Sequence, residues 1–177
     1  YSAFFDIGSS RSLPKRERGD GDPIRIGYFS TDFRDHPVAY AMAGVLASHD
    51  RRKFEVHAFS FVQDDGSEVR RNIGRSVHRF HEVAGVEAPA LASIADSIGL
   101  DIAINLNGHT SRATEAPFAL RMAPIQVNYL GYPGTMGAPW MDYLIADRHV
   151  IPDVDVALYD ECVVRLPHCY LPTDLGP

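Results

Sequence analysis

Apolar and polar positions alternate along this chain in blocks that change period. After Pro23, the run Ile24 to Ser30 is apolar apart from Arg25 and predicts a strand. Ala39 to Ser48 lacks Pro and places Ala39, Met42, Ala43 and Leu46 at helical spacing. Lys53 to Phe61 alternates and is rich in Phe and Val, which predicts a second strand. Asp64-Asp65-Gly66 reads as a turn, Ser67 to Arg75 as a basic helix or loop, and Val77 to Val83 as a short third strand. Pro89 to Ile98 is helical in pattern, with Gly99 placed as its C-cap. Asp101 to Leu106 is a compact buried strand, Ala116 to Met122 a short helix, and Ile125 to Leu130 another strand. Tyr143 to Ala146 and Cys162 to Leu166 complete the set. Short helical patterns between apolar runs indicate βαβ units, hence an α/β fold: Rossmann-like, with a mostly parallel, doubly wound sheet. Internal repeats and low-complexity tracts are absent from the sequence.

Residues 1–22 differ from the rest. They close on Lys15-Arg16-Glu17-Arg18-Gly19-Asp20-Gly21-Asp22, where Gly and charge together bury little apolar surface, and they read as a linker or junction before a domain at 23–177. The chain begins without Met and stops soon after Leu166 to Pro172, so a piece of a longer protein is expected.

Three polar loops leave predicted strand ends: Thr31 to His36, Asn107 to Arg112, and Gly131 to Ala138. In a parallel sheet they lie on one edge, and ligands of open α/β sheets sit outside the carboxyl ends of the strands. One shared site is the consequence.

Composition narrows the function. The 177 residues carry a net charge of −6, which argues against a dedicated nucleic-acid binder. No apolar run approaches the roughly 18 residues of a membrane span, and the first residues contain no signal-peptide core. A cytoplasmic, reducing setting is expected, with Cys162 and Cys169 as buried structural thiols rather than a disulfide framework or metal knuckle. His78 and His81, three apart in a strand, point to opposite faces and do not suggest a shared metal. The run Arg70, Arg71, Arg75 and Arg79 reads as a solvated face, Asp96 as a solvated helix residue, and Trp140 as a packing residue.

His36 titrates in the range a general base needs. Pro37 fits the first position of a helix, which places His36 at a helix N-terminus, where the dipole favours a neutral ring. Asp32 or Asp35 could orient it; a capping or packing histidine is the competing reading. Asn107, His109 and Thr110 supply donors and acceptors beside Gly108, where backbone can approach a ligand closely; a simple turn with an Asx-type bond is the alternative. Gly131-Tyr132-Pro133-Gly134-Thr135 spaces two glycines for a backbone-exposing loop of the kind that cradles phosphates. There is no GxGxxG and no Walker Lys-Ser/Thr in the chain.

With these residues in view, the sequence resembles the catalytic region of the O-linked N-acetylglucosamine transferases, glycosyltransferase family 41, including bacterial and SPINDLY-type relatives. The resemblance rests on Ile24 to Phe33 with His36-Pro37, Lys53-Phe54-Glu55-Val56, and Asp64-Asp65-Gly66. It continues through Asn105 to Thr110, Ala123 to Val127, Leu130 to Thr135, and Met141-Asp142-Tyr143. It implies the first lobe of a two-lobed GT-B enzyme that follows tetratricopeptide repeats. It further implies inverting transfer of N-acetylglucosamine from UDP-GlcNAc to Ser or Thr hydroxyls of a protein acceptor, without a metal or other cofactor. His36 would be the catalytic base. Asp35, Pro37, Asn107, Gly108, His109, Thr110, Gly131, Tyr132, Pro133, Gly134 and Thr135 would line the substrate cleft, with most uridine-diphosphate contacts supplied by a second lobe. Vertebrate members carry Tyr at the position of His109, which implies a different sugar or acceptor preference. Glucose transfer to Asn, fucose transfer to Ser/Thr, or a non-catalytic interaction lobe are the alternatives.

Overall fold

The computed structural model describes residue 19 and residues 21–173. The linker expected at 1–22 therefore lies almost wholly outside the described residues.

Seven strands form one sheet: β1 (Ile24–Ser30), β2 (Phe54–Ser60), β3 (Arg79–Glu82), β4 (Ile102–Asn105), β5 (Ile125–Asn128), β6 (Tyr143–Ala146) and β7 (Cys162–Arg165). Their spatial order is β3-β2-β1-β4-β5-β6-β7. All six pairings are parallel. Among the described residues four α-helices accompany them: α1 (Pro37–Ala47), α2 (Glu68–Ser76), α3 (Ala88–Ile98) and α4 (Arg112–Ala119). The doubly wound α/β fold read from the sequence is thus the fold observed. Strand order reverses between β1 and β4, the topological switch point of such a sheet.

Each face of the sheet has its own core. Ile26 and Tyr28 of β1 and Val56 and Ala58 of β2 pack with Met42 and Leu46 of α1 and Val69 and Ile73 of α2. On the other face Phe29 and Phe59 meet Leu91, Ala92 and Ala95 of α3 and Phe118 and Met122 near α4. Phe29 and Phe59 stack with centroids 4.3 Å apart, and Phe118 meets Phe29 edge-on at 5.3 Å. Burial of each such ring contributes about 1.5–3 kcal/mol.

Helix boundaries follow local chemistry. Pro37 occupies the first turn of α1, so this helix starts two residues earlier than periodicity alone suggests. The Ser67 hydroxyl caps α2 by accepting from the Arg70 N–H, which settles Ser67 to Arg75 as helix rather than loop. Gly99 ends α3 in the left-handed conformation, φ 70°, as expected. The helix expected at 116–122 instead spans Arg112–Ala119. Ser111 caps its start by accepting from the Ala113 N–H, Pro117 is carried inside it, and Arg121 leaves helical space at φ 63°.

Two other expectations are corrected. Arg70 does not belong to a solvated face. Its guanidinium is buried, lies 4.8 Å over the Phe80 ring, and donates to Phe33 O, Ser60 Oγ, Val62 O and Glu82 Oε1. Five donors in a rigid fork let one arginine satisfy four acceptors at the end of β2. Cys162 and Cys169 are both exposed rather than buried, because β7 is an edge strand and Cys169 follows it at the surface. Asp96 is half-buried, and Trp140 packs at the margin of the α3/α4 core.

The histidines of β2 and β3 are a structural pair. His57 Nε2 lies 3.0 Å from Glu55 Oε1, and His57 Nδ1 lies 3.0 Å from His81 Nε2. If His57 Nε2 donates to Glu55, His57 Nδ1 accepts the His81 N–H, and both rings are neutral. His81 also stacks on Phe59 at 4.4 Å. Burial pushes both imidazoles down, with the neighbouring His57 adding to the effect on His81, which falls to about 4. The unfolded chain therefore binds more protons than the folded one between pH 4 and the ordinary histidine range, so stability drops as pH falls through it. We expect the His81 contribution to cost about 1 kcal/mol between pH 7.5 and 5.5. Urea unfolding at the two pH values should show this loss in the native chain and a smaller one in His81→Phe; equal slopes would refute the assignment.

Candidate functional site at the switch point

Three loops leave the carboxyl ends of β1, β4 and β5, and the structure brings them into contact. The first junction is Asn107. Its Oδ1 accepts the Thr31 N–H at 2.8 Å, and its Nδ2 donates to Thr31 Oγ1 at 2.9 Å and Asp32 Oδ2 at 2.7 Å. Asn107 is 1% exposed. Its own N–H and that of Gly108 both donate to Asn105 Oδ1. A side chain on the β4 loop thus substitutes for backbone pairing once β1 and β4 separate, as buried polar groups require.

That junction sets His36. Asp32 donates its backbone N–H to Ser30 Oγ, and its carboxylate, held by Asn107, lies 3.8 Å from His36 Nε2. Arg34 Nη2 is 3.6 Å from the same oxygen. His36 is the N-cap of α1, and its Nδ1 accepts the Val38 N–H at 3.2 Å. Both readings of this histidine therefore have a structural counterpart: it caps, and its other nitrogen faces the polar crevice. With Nδ1 an acceptor, a neutral ring carries its proton on Nε2. Of the two acids weighed as orienting groups, Asp32 is the one beside the ring. Asp35 is turned elsewhere: its N–H donates to Asp65 Oδ2 and its carboxylate accepts from Tyr40 OH. Pro37 contributes through the helix start alone.

The second junction joins the β4 and β5 loops. The His109 ring meets Tyr132 edge-on at 5.2 Å. His109 Nδ1 lies 2.9 Å from Glu115 Oε1, and Nε2 lies 3.2 Å from Met136 O. Gly131 is required by space: a Cβ there would stand 2.2 Å from Leu106 O. Gly108 is required by conformation as well, with φ +55° and a Cβ position 2.6 Å from that of Tyr132. Leu130, at φ 73°, is strained for a branched side chain, and its carbonyl accepts from the buried Tyr170 hydroxyl. Thr110 Oγ1 donates back to Asn107 O, so the chain turns here, but the Asx-type bond is made by Asn105, whose Oδ1 accepts the Asn107 N–H, and not by Asn107, whose side chain reaches across to Thr31 and Asp32.

The far end of the β5 loop is fixed by an acid that sequence reasoning missed. Buried Glu161 accepts from Thr135 Oγ1 at 2.7 Å and from the Met136 N–H at 2.6 Å. The carbonyl of Pro133 accepts from Tyr159 OH at 3.2 Å. Gly134 lies against the Tyr132 ring. Thr31, Glu115 and Glu161 therefore join the residues expected from the sequence. Thr31 had a signal, its place directly after β1. Glu115 and Glu161 had none, because each reads as an ordinary surface acid.

Among the described residues, no group of three or more His, Cys, Asp or Glu is arranged to hold a metal ion. No helix of the described residues is long and apolar enough to cross a membrane.

An open α/β sheet with three interlocked polar loops at its switch point places the chain in the Rossmann-like class, whose ligand crevices lie at that edge. Residues 9–175 match the family model of glycosyl transferase family 41, and the chain belongs to that family. It is 40% identical over 162 residues to a probable UDP-N-acetylglucosamine–peptide N-acetylglucosaminyltransferase, SEC, of Arabidopsis thaliana, covering 92% of this chain and 17% of the relative. It is 36% identical to the Caenorhabditis elegans UDP-N-acetylglucosamine–peptide N-acetylglucosaminyltransferase, covering 85% of this chain and 13% of that protein. Among solved structures, a K341M mutant of the Thermobaculum terrenum O-GlcNAc transferase superimposes with TM-score 0.86 at 30% identity, over 96% of this chain and 32% of that one. The chain thus spans less than a fifth of the length of these curated relatives.

Asn107 is the site's most heavily bonded side chain, and its removal leaves Asp32 and the Thr31 N–H without their partner. Asn107→Ala should cost about 2–4 kcal/mol in urea unfolding, since buried partners are stranded and one bond is to a carboxylate. Thr110→Ala, losing one local bond, should cost about 1 kcal/mol. Equal costs for the two would contradict the role given to Asn107.

Proposed function

We propose that this chain is the first catalytic lobe of an inverting glycosyltransferase that moves N-acetylglucosamine from UDP-GlcNAc to Ser or Thr hydroxyls of proteins. The observation that carries this reading is the crevice where His36, Asp32 and Asn107 meet the Gly-Tyr-Pro-Gly loop, in a chain of this family. The acceptor hydroxyl would attack the anomeric carbon from the face opposite the departing UDP. Charge on UDP would be stabilised by groups of a second lobe and by backbone N–H donors, with no metal needed. Tetratricopeptide repeats upstream and a protein or peptide acceptor are the partners this reading supplies, and a cytoplasmic setting is consistent with it.

Within that crevice the cleft-lining set is Asn107, Gly108, His109, Thr110, Gly131, Tyr132, Pro133, Gly134 and Thr135. Asp35 is the residue that geometry favours least, since its carboxylate is engaged by Tyr40. One observation favours positioning over base catalysis for His36: its neutral lone pair is taken by the Val38 N–H. In that state Nε2–H is a donor to a substrate oxygen, and proton abstraction requires the cap to open so that the ring proton moves to Nδ1 and the Nε2 lone pair is freed.

Two measurements test this. In a full-length transferase carrying this lobe, UDP release from UDP-GlcNAc in the presence of an acceptor peptide should fall about 100-fold or more for His36→Ala. His36→Gln, which can still cap and donate, should recover part of kcat if His36 positions substrate, and none if it is the base. Unchanged turnover in His36→Ala would defeat both roles. Separately, the isolated chain should bind UDP only weakly, with Kd of about 1 mM or above by calorimetry; micromolar binding would show that this lobe carries the nucleotide site.

A further inference from the structure

The Asp64-Asp65-Gly66 motif lies outside the crevice but reaches its histidine loop. It forms the turn between β2 and α2. Asp64 Oδ1 accepts the Gly66 N–H at 2.9 Å, and Gly66 turns the chain at φ 71° before Ser67 caps α2. The Asp65 carboxylate is left bridging two backbone donors. Its Oδ1 accepts the Ser67 N–H at 3.1 Å, and its Oδ2 accepts the Asp35 N–H at 2.7 Å, 30 residues away in sequence. The Asp35 N–H, followed by the Ser67 hydroxyl, holds the Asp65 carboxyl down at about 2, so at neutral pH the acceptor is a charged one.

The place of that bond gives it a role. The β1–β2 ladder ends with the Phe61 N–H on Ser30 O, and the loop from Thr31 to His36 continues beyond it. On the β4 side, Asn107 holds Thr31 and Asp32. On the β2 side, two side chains from the start of α2 and the turn before it hold the next stretch. Arg70 Nη1 donates to Phe33 O at 2.7 Å, and Asp65 accepts from Asp35. These tethers grip the backbone on either side of Arg34. Tyr40 of α1 holds the Asp35 carboxylate, so the residue that precedes His36 is pinned through both its N–H and its side chain. His36 caps α1 from an extended backbone, φ −154° and ψ 144°. An N-cap side chain reaches the second or third N–H of its helix only from such a conformation. Fixing the peptide that enters His36 therefore fixes the direction of its ring.

We propose that Asp65 is a positioning residue for His36: through the Asp35 N–H it holds the entry to α1, so that the imidazole keeps both its Val38 cap and its place beside Asp32. Asp65 acts through the Asp35 backbone rather than by touching substrate. Its effect on turnover rests on the transferase reading; its effect on the α1 N-terminus does not.

Two measurements on Asp65→Ala and Asp65→Asn test this, with Asp50→Ala as the control. Asp65 is exposed, so its replacement leaves the core untouched. Asp50 is also a turn aspartate, bonded to the Arg52 N–H and guanidinium, but it precedes β2 and lies at the opposite end of that strand. In the isolated chain, hydrogen exchange of the Val38 amide, followed by NMR, should quicken at least about fivefold in Asp65→Ala. It should stay near native in Asp65→Asn, whose amide oxygen still accepts the Asp35 N–H, and native in Asp50→Ala. In a full-length transferase carrying this lobe, Asp65→Ala should lower kcat for UDP release about tenfold, with KM for UDP-GlcNAc changed less than about twofold. Asp65→Asn should recover most of that loss. Val38 exchange unchanged in Asp65→Ala, or quickened equally by Asp50→Ala, would overturn the proposal. So would a native kcat for Asp65→Ala in an enzyme that His36→Ala impairs. A native transferase silent toward UDP-GlcNAc would sink the transferase reading instead, and the Val38 exchange would then decide the role of Asp65.

Discussion

The amide of Asn107 is the interaction on which the site depends. At a switch point, β1 and β4 leave the sheet side by side and their chains turn to opposite faces, so nothing in the strand ladder holds the two loops together. Asn107 does so with one acceptor and two donor bonds, all to Thr31 and Asp32. Asp32, fixed in this way, stands beside His36, which the α1 N-terminus has already oriented through the Val38 N–H. The position of the histidine is thus a consequence of two constraints, one from the sheet and one from the helix.

The other wall of the crevice is built by close approach rather than by an amide. Gly131 and Gly108 let the β5 loop lie against the backbone of the β4 loop at distances no side chain permits. Leu130 is held in a left-handed conformation to make this possible, and Tyr170 secures it through the Leu130 carbonyl. Strain at such a point persists where surrounding bonds over-determine it. Tyr129, whose hydroxyl donates to Tyr170 O, and Glu161, which grips Thr135 and Met136, supply that surplus. A binding loop with this support is pre-organised, which lowers the ordering cost of any ligand it meets.

Much of this was legible in the sequence. The strands announced themselves as apolar runs, because strands buried on both faces have no polar side to hide. The loops announced themselves through Gly, Pro and polar residues directly after those runs. The switch-point geometry then followed from topology. What stayed hidden had a common cause: a charged side chain looks the same in sequence whether it is solvated or neutralised by a distant partner. Arg70 read as part of a basic surface, yet its four acceptors come from β2, β3 and the loops after β1 and β2. Glu115 and Glu161 were passed over for the same reason. The two cysteines failed in the opposite sense, because thiols are usually buried and an edge strand is not readable from composition. The helix α4 begins earlier than its apolar spacing suggests because the Ser111 hydroxyl caps it at Arg112 and Pro117 is carried inside it.

These ties bear on how the crevice could act. A general base needs a free lone pair aimed at its proton, and a histidine that caps a helix through Nδ1 has only Nε2 left. In the neutral ring that nitrogen holds a proton and faces Asp32. A histidine in this position is better arranged to donate, and so to hold an oxygen of donor or acceptor in place, than to abstract. Base catalysis requires loss of the Val38 cap, so that the ring proton moves to Nδ1 and frees Nε2, and Asp32, held by Asn107 beside Nε2, favours the tautomer in which Nε2 keeps the proton. The amide that assembles the crevice therefore also biases which chemistry its histidine performs.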